Sequence, residues 1–225
     1  MDWNQILDFA RGPFFYTALM VFVGGLAYRV IKVVSLGWSR DRAPSAGSKT
    51  VGVAKSYAKG FIVWPFIPWV KQTFAGNAVT LIAGGVFHLG LFAVIFLGAP
   101  HMLGWKSLLG IGWPTLPLPI IDWLAAAAIA AMVALAINRM ANPLLRKLSG
   151  PAEALNWLFV FLPMVTGYLM THHLLFRYET IYALHVLAVD VMLIWIPFSR
   201  ISHFVFYFFS KTIHGAQFGK RAVTP

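Results

Sequence analysis

The chain contains no cysteine. That removes disulfides, thiolate zinc sites, protein-ligated iron–sulfur clusters of the usual kind and covalently attached haem c. Any metal must be held by histidine, methionine or carboxylate. Charge is also scarce. Only 11% of the 225 residues are charged, and 7 are acidic, whereas soluble domains carry about 25% charged residues. Apolar residues fill the gap, at 59% of the chain. A soluble core of this length has no room for so much apolar surface, so the chain reads as one that uses lipid as its solvent.

The formal net charge is +11. On a soluble module that would point to nucleic acid. Here the basic residues punctuate apolar segments instead, and no basic patch lies on a foldable soluble unit. Lipid headgroups and membrane topology account for them, and no nucleic-acid partner is expected.

A bilayer core of about 30 Å needs about 20 apolar residues in a helix. Five stretches qualify, at about 14–36, 78–97, 120–137, 154–171 and 180–209. The fold class is therefore an all-α integral membrane protein, a single membrane domain over 1–225 built as a five-helix bundle. The first stretch follows Asp2 and Asp8 rather than a basic region, and no small-residue cleavage site follows it. It reads as a span, not a cleavable signal. Arg29, Lys32, Arg40, Arg42, Lys49, Lys55, Lys59, Lys71, Arg139, Arg146, Lys147, Arg200, Lys211, Lys220 and Arg221 all fall on one side of the five spans. Arg11, Lys106 and Arg177 fall on the other. The positive-inside rule then puts the N-terminus outside and the C-terminus in the cytoplasm. Residues 39–76 read as a cytoplasmic basic loop followed by an interfacial segment with Trp64, Pro65, Pro68 and Trp69. Residues 98–119 read as an outer interfacial loop with Trp105 and Trp113.

Ionisable residues inside membrane spans are costly and mark function by default. His88 lies in the second span, and His185 and His203 lie in or beside the fifth. The latter two are 18 positions apart, about five whole turns of a straight helix and about 27 Å along its axis. Both imidazoles would then face the same way, one near each membrane face. Two stacked haems, each gripped by histidine, suit that spacing. His88 and His203 form a plausible inner pair. His185 needs an outer partner, and His101, His172 and His173 are the candidates. A straight helix would put His101 about 220° around the axis from His88, a direction that Pro100 could alter. Gly84, Gly85 and Gly90 flank His88. They leave room for a flat macrocycle or allow close helix packing.

The run Pro197-Phe198-Ser199-Arg200-Ile201-Ser202-His203, with His185 before it, resembles the last helix of the respiratory nitrate reductase gamma subunit family. Val86-Phe87-His88-Leu89-Gly90 resembles the start of that family's second helix. Related membrane cytochromes occur in heterodisulfide reductases and sulfite-reduction-associated complexes. The resemblance implies a five-helix di-haem cytochrome b holding two b-type haems. It implies exchange of electrons with menaquinone or ubiquinone near the outer haem. It also implies transfer to a cytoplasmic iron–sulfur subunit and a catalytic subunit, in the cytoplasmic membrane of a prokaryote. His88, His203 and His185 match ligand positions. The family's second ligand in helix two falls on Gly98, and His101 is the favoured replacement, with His172 or His173 as the rival. Lys106 and Trp105 are candidate quinone contacts, and Arg200 is a candidate propionate partner. Asp190, between the two ligands of the last span, is read as either a proton relay or a bundle hydrogen bond.

A His-dependent non-haem enzyme of the di-iron type is the alternative. It requires histidines clustered on one membrane face, whereas here only His172 and His173 are adjacent. A transporter or plain anchor would leave the histidine spacing without a purpose.

Overall fold

The computed structural model describes residues 2–37, 44–63 and 77–223. The expected interfacial residues Trp64, Pro65, Pro68 and Trp69, and the basic positions Arg40, Arg42 and Lys71, lie outside the described residues. Among the described residues all regular structure is helical. Five helices are long and apolar enough to cross a membrane: Trp3–Ser35, Ala78–Leu97, Leu118–Ala141, Pro151–Thr171 and Tyr178–Phe198. Their outward side chains are largely apolar, including Tyr28, Leu89 and Trp123. That is the surface a lipid solvent tolerates and water does not.

The first span starts earlier than expected. Its opening helix α1 (Trp3–Phe9) is fixed by Asp2, whose side chain accepts from the Gln5 N–H while the Gln5 side chain accepts from the Asp2 N–H. This reciprocal cap satisfies two otherwise orphaned donors. A wide turn over Ala10–Phe14, kinked at Gly12 beside Pro13, joins it to α2 (Phe15–Ser35). Proline removes a ladder donor, so a kink there has a local cause. The remaining helices are α3 (Lys49–Ala58), α4 (Ala78–Phe92), α5 (Ala99–Leu109), α6 (Leu118–Ala141), α7 (Pro143–Lys147), α8 (Pro151–Thr171), α9 (Tyr178–Trp195) and α10 (His203–Lys220). Two stretches expected as loops thus contain helices, α3 within 39–59 and α5 within 98–119.

The chain divides into two compact units. The first comprises Met1–Met20 and Asn77–Trp195. In it α4 and α6 form an antiparallel pair. A Cβ at Gly90 would come within 2.5 Å of the Leu124 carbonyl oxygen and 2.7 Å of the Ala128 Cβ, so glycine sets that close approach. At the far end the Asn138 amide donates to Asn77 Oδ1 and Thr80 Oγ1. The Trp157 indole N–H donates to the Met132 carbonyl and ties α8 to α6. The Trp195 indole N–H donates to Asn156 Oδ1 at 2.7 Å and ties α9 to α8. Buried indoles need such acceptors. One end of this unit therefore gathers Asn77, Asn138, Asn156 and Trp195, and the other gathers Leu97, Asp122, His172 and Tyr178.

The second unit comprises Val21–Gly76 and Ile196–Pro225. Its centre is α3 against α10, at backbone contact. A Cβ at Gly52 would collide with the Gly219 Cα, and one at Gly219 with the Ser48 carbonyl oxygen. The Tyr57 hydroxyl bonds both the Phe208 carbonyl and Thr212 Oγ1.

The fifth span differs from its expected course over 180–209. The α-helix stops at Trp195. Single tight turns follow over Ile196–Phe198 and Arg200–Ser202, with Ser199 fully extended between them. Pro197 cannot donate to the ladder, and the chain restarts as α10 at His203. The freed carbonyls find a side chain. Arg29 Nη1 donates to the Pro197 carbonyl at 2.8 Å, the Ser199 carbonyl at 3.2 Å and Ser202 Oγ at 2.6 Å. Its guanidinium also lies 4.7 Å over the Phe206 ring. His185 and His203 therefore sit on separate helices in separate units. Whole-turn arithmetic along one straight helix does not relate them, because the helix is broken between.

Candidate functional site: a facing histidine pair

His185 lies seven residues into α9 from Tyr178, on the side that meets α8. Its seat is made by α8. A Cβ at Gly167 would lie 3.0 Å from the His185 Cε1, so glycine leaves room for the ring. The His185 Nδ1–H donates to the Pro163 carbonyl at 3.0 Å, and Thr166 Oγ1 stands 3.2 Å from the same nitrogen. Thr166 itself donates to the Leu162 carbonyl, so its oxygen accepts from the ring. A carbonyl only accepts, so the proton is on Nδ1. Nε2 then carries the lone pair of the neutral ring.

His101 reaches the same place through a break in the second span. The α-helix α4 gives way to a wide turn over Ala93–Leu97. Gly98 is extended, and α5 restarts with Pro100 in its first turn. The helical angle of about 220° from His88 therefore does not apply. The His101 ring hydrogen-bonds the Val94 carbonyl, and burial holds its pKa below the ordinary value. A neutral ring is the form that ligates a metal.

The two ring centres are 6.2 Å apart, with planes crossing at 69°. A metal–imidazole bond of about 2.1 Å plus the ring's own radius puts each ring centre about 3.2 Å from the metal. Two rings on opposite sides of one ion would then stand about 6.4 Å apart, and two rings at a tetrahedral angle about 5.2 Å apart. The observed spacing is one at which the two rings could hold one ion between them. Glycines border both rings, Gly167 at His185 and Gly98 beside His101, and leave room for the imidazoles. The residues present fit a haem.

The other candidates have distinct surroundings. His88 Nδ1 donates to the Gly84 carbonyl at 2.7 Å, one turn back on its own helix. His203 Nδ1 donates to the Arg200 carbonyl at 3.0 Å. Both follow the pattern of His185, with Nδ1 held by backbone. They lie in different units. A Cβ at Gly84 or Gly85 would meet no described atom within 4 Å; Gly90, by contrast, serves helix packing. Arg200 occupies the tight turn directly before His203.

His172 and His173 are not the residues set against His185. His172 caps α8, and its Nε2 lies 3.8 Å from Asp122 Oδ1. His173 adopts a left-handed conformation, φ 51, and its ring meets Tyr178. Lys106 lies in the last turn of α5, its stem against Gly112. The Trp105 indole N–H donates to the Ile95 carbonyl and the ring stacks on Phe96. Trp105 is thereby an anchor of the α5 restart. Asp190 is wholly buried, and neither carboxylate oxygen has a hydrogen-bond partner. Of the two readings given for it, the bundle hydrogen bond finds no partner among the described residues. Sequence reasoning passed over Asp122 and the clasp by Arg29. An acid in an otherwise apolar span was the signal for Asp122.

No family model matches the chain. No solved structure matches it. A curated protein of Nitratidesulfovibrio vulgaris (strain Hildenborough), described simply as a protein, is 30% identical over 210 residues, which cover 90% of this chain and 89% of that one.

Proposed function

The chain belongs to one family with that Nitratidesulfovibrio vulgaris protein, and we propose that it is a membrane cytochrome b subunit of a respiratory oxidoreductase complex. The observation that carries this reading is the His101–His185 pair, 6.2 Å apart. His101 and His185 would hold a b-type haem between them. When bound, that group supplies one-electron redox chemistry and presents no open position to oxygen. The chain's own part is to fix the ligands. The Pro163 carbonyl and Thr166 hydroxyl hold His185 by Nδ1, Gly167 leaves room for that ring, and the Val94 carbonyl holds the His101 ring. Acceptors on Nδ1–H raise ligand basicity and tune the iron. His88 and His203 share the backbone-held ring and each is proposed as a further ligand.

The physiological partners are proposed on chemistry. The lipid-soluble electron carrier is menaquinone or ubiquinone, with Lys106 a proposed contact and Arg200 a proposed propionate partner. A chain without cysteine cannot hold the next iron–sulfur cluster in the usual way, so a cytoplasmic iron–sulfur subunit and a catalytic subunit take the electrons onward. The basic residues support an N-terminus outside and a C-terminus inside the cytoplasmic membrane of a prokaryote. Among the described residues no three histidine or carboxylate groups converge, and a di-iron enzyme needs such a cluster. The haem reading is therefore preferred.

The test is a dithionite-reduced-minus-oxidised visible spectrum of the purified chain in mild detergent, with haem quantified per polypeptide. Reduced b-type bands with one or two haems per chain support the reading. A folded sample supplied with haem that takes up none overturns it.

A further inference from the structure

Asp190 is an acid inside the fifth span, on α9, five residues beyond His185. It is wholly buried, and neither carboxylate oxygen has a hydrogen-bond partner among the described residues. Five residues of helix are about 7.5 Å of rise and about 140° of rotation. His185 is turned to its seat on α8, so Asp190 lies on another side of α9. Ala183, seven residues earlier and only about 20° away around the axis, is also wholly buried. The first unit's α8, α1 and the turn over Ala10–Phe14 pack on α9, and α5 meets it at His101. Their charged and titratable groups have other places. On α8, Glu153 accepts from the Gly150 N–H and the Tyr168 ring packs on His172. In the first span, Asp8 is exposed and the Arg11 guanidinium lies 5.7 Å over the Tyr182 ring. On α5, the His101 ring is held by the Val94 carbonyl and the Lys106 stem lies against Gly112. None of these groups, and neither Tyr178, Glu179 nor Tyr182 of α9 itself, hydrogen-bonds the Asp190 oxygens.

We infer that Asp190 is a proton-binding site inside the first unit, and that its occupancy follows the charge at the His101–His185 pair. The coupling rests on the proposed function; the proton site does not. An unpaired carboxylate in an apolar interior is far more costly than the neutral acid, and such a group neutralises instead. An acid that tied helices together would show a partner, and an unsatisfied buried group calls for another reason. An ionisable residue inside a span marks function by default. A proton is the one ligand this site can take with no further donor or acceptor. With an oxidised haem between two neutral imidazoles, the pair's site carries one net positive charge, and one electron removes it. In a low-dielectric interior that charge acts on Asp190 with little screening. Its presence favours the carboxylate, and its loss favours the acid. The balance is one electron in, from the hydroquinone of the proposed function, and one proton from water onto a carboxylate oxygen. When the electron passes on, the proton returns to water. Proton uptake with the electron makes the midpoint potential fall as pH rises, over the range in which Asp190 changes form.

The test uses the whole chain in detergent, with Asp190→Asn and Asp190→Glu beside wild type. The first readout is the midpoint potential of haem-loaded protein as a function of pH. The second is the infrared carbonyl band of protonated carboxylic acids, recorded on haem-free protein and as a reduced-minus-oxidised difference on loaded protein. In wild type the potential should fall with rising pH, and the acid band should grow on reduction. In Asp190→Asn the potential should depend less on pH and lie above wild type at the alkaline end, where wild type holds a carboxylate. Its redox-linked acid band should be missing and its haem content unchanged. Asp190→Glu, which keeps a carboxyl, should restore the pH dependence. Where Asp190→Asn does not fold, Asp190→Leu takes its place with the same expectations. Equal pH dependence in wild type and the carboxyl-free variant overturns the coupling and leaves the haem reading standing. A chain that takes up no haem overturns the haem reading. An acid band of haem-free wild type that the carboxyl-free variant lacks then still supports the proton site, and identical bands in the two overturn it.

Discussion

At the residue scale the chemistry rests on where hydrogen-bond acceptors sit. His185 is useful because Nδ1 is committed to Pro163 and Thr166 on the neighbouring helix. Replacing Thr166 with valine removes one acceptor and keeps the other. The ring becomes a weaker donor of electron density, so the midpoint potential of the proposed haem should rise in Thr166→Val, measured by redox titration. Gly167→Val is harsher. Its first added carbon would already meet the His185 ring at 3.0 Å, so the ring must move, and haem content per chain should fall. Arg29 acts on structure. It serves two carbonyls opened by the break at Pro197, and a buried carbonyl left unsatisfied costs about 1–3 kcal/mol. Arg29→Ala should lower the thermal unfolding midpoint in detergent and expose the tight-turn segment to proteolysis. These contacts were only partly legible in the sequence. The histidines stood out because imidazole is rare in lipid, but Asp122 and His172 are fifty positions apart and are joined only by the packing of α6 on α8.

At the scale of elements, length and hydropathy revealed the spans because the bilayer imposes them. The stretch 78–97 begins and ends where expected. Breaks inside apolar runs were much less visible. Gly98 and Pro100 redirect the chain and bring His101 round, and Pro197 with Ser199 ends a helix expected to continue to Phe209. Proline and glycine are tolerated in membrane helices when other groups take up the freed backbone, so a composition window passes over them. What decides the outcome is a distant partner, Arg29, in one case and the adjoining wide turn over Ala93–Leu97 in the other. Close packing gives a further test. In Gly90→Val the first added carbon alone would press on the Leu124 backbone at 2.5 Å, and overpacking costs about 1–3 kcal/mol. The expected result is a lower melting temperature in detergent, with α4 and α6 forced apart. Gly84→Ala, which meets no described atom within 4 Å, is the matched control and should melt as wild type.

At the scale of the whole molecule, a sparsely charged, cysteine-free, apolar chain has few ways to do redox chemistry. Under the proposed function it would seat a prosthetic group between helices by histidine and pass electrons to another subunit. The facing pair His101–His185 is the central claim. The most direct test is haem per chain in His101→Ala, His185→Ala and His172→Ala against wild type. The expected result is one haem fewer in each of the first two and wild-type content in the third. Full haem content in His101→Ala or His185→Ala, or a loss confined to His172→Ala, would contradict it.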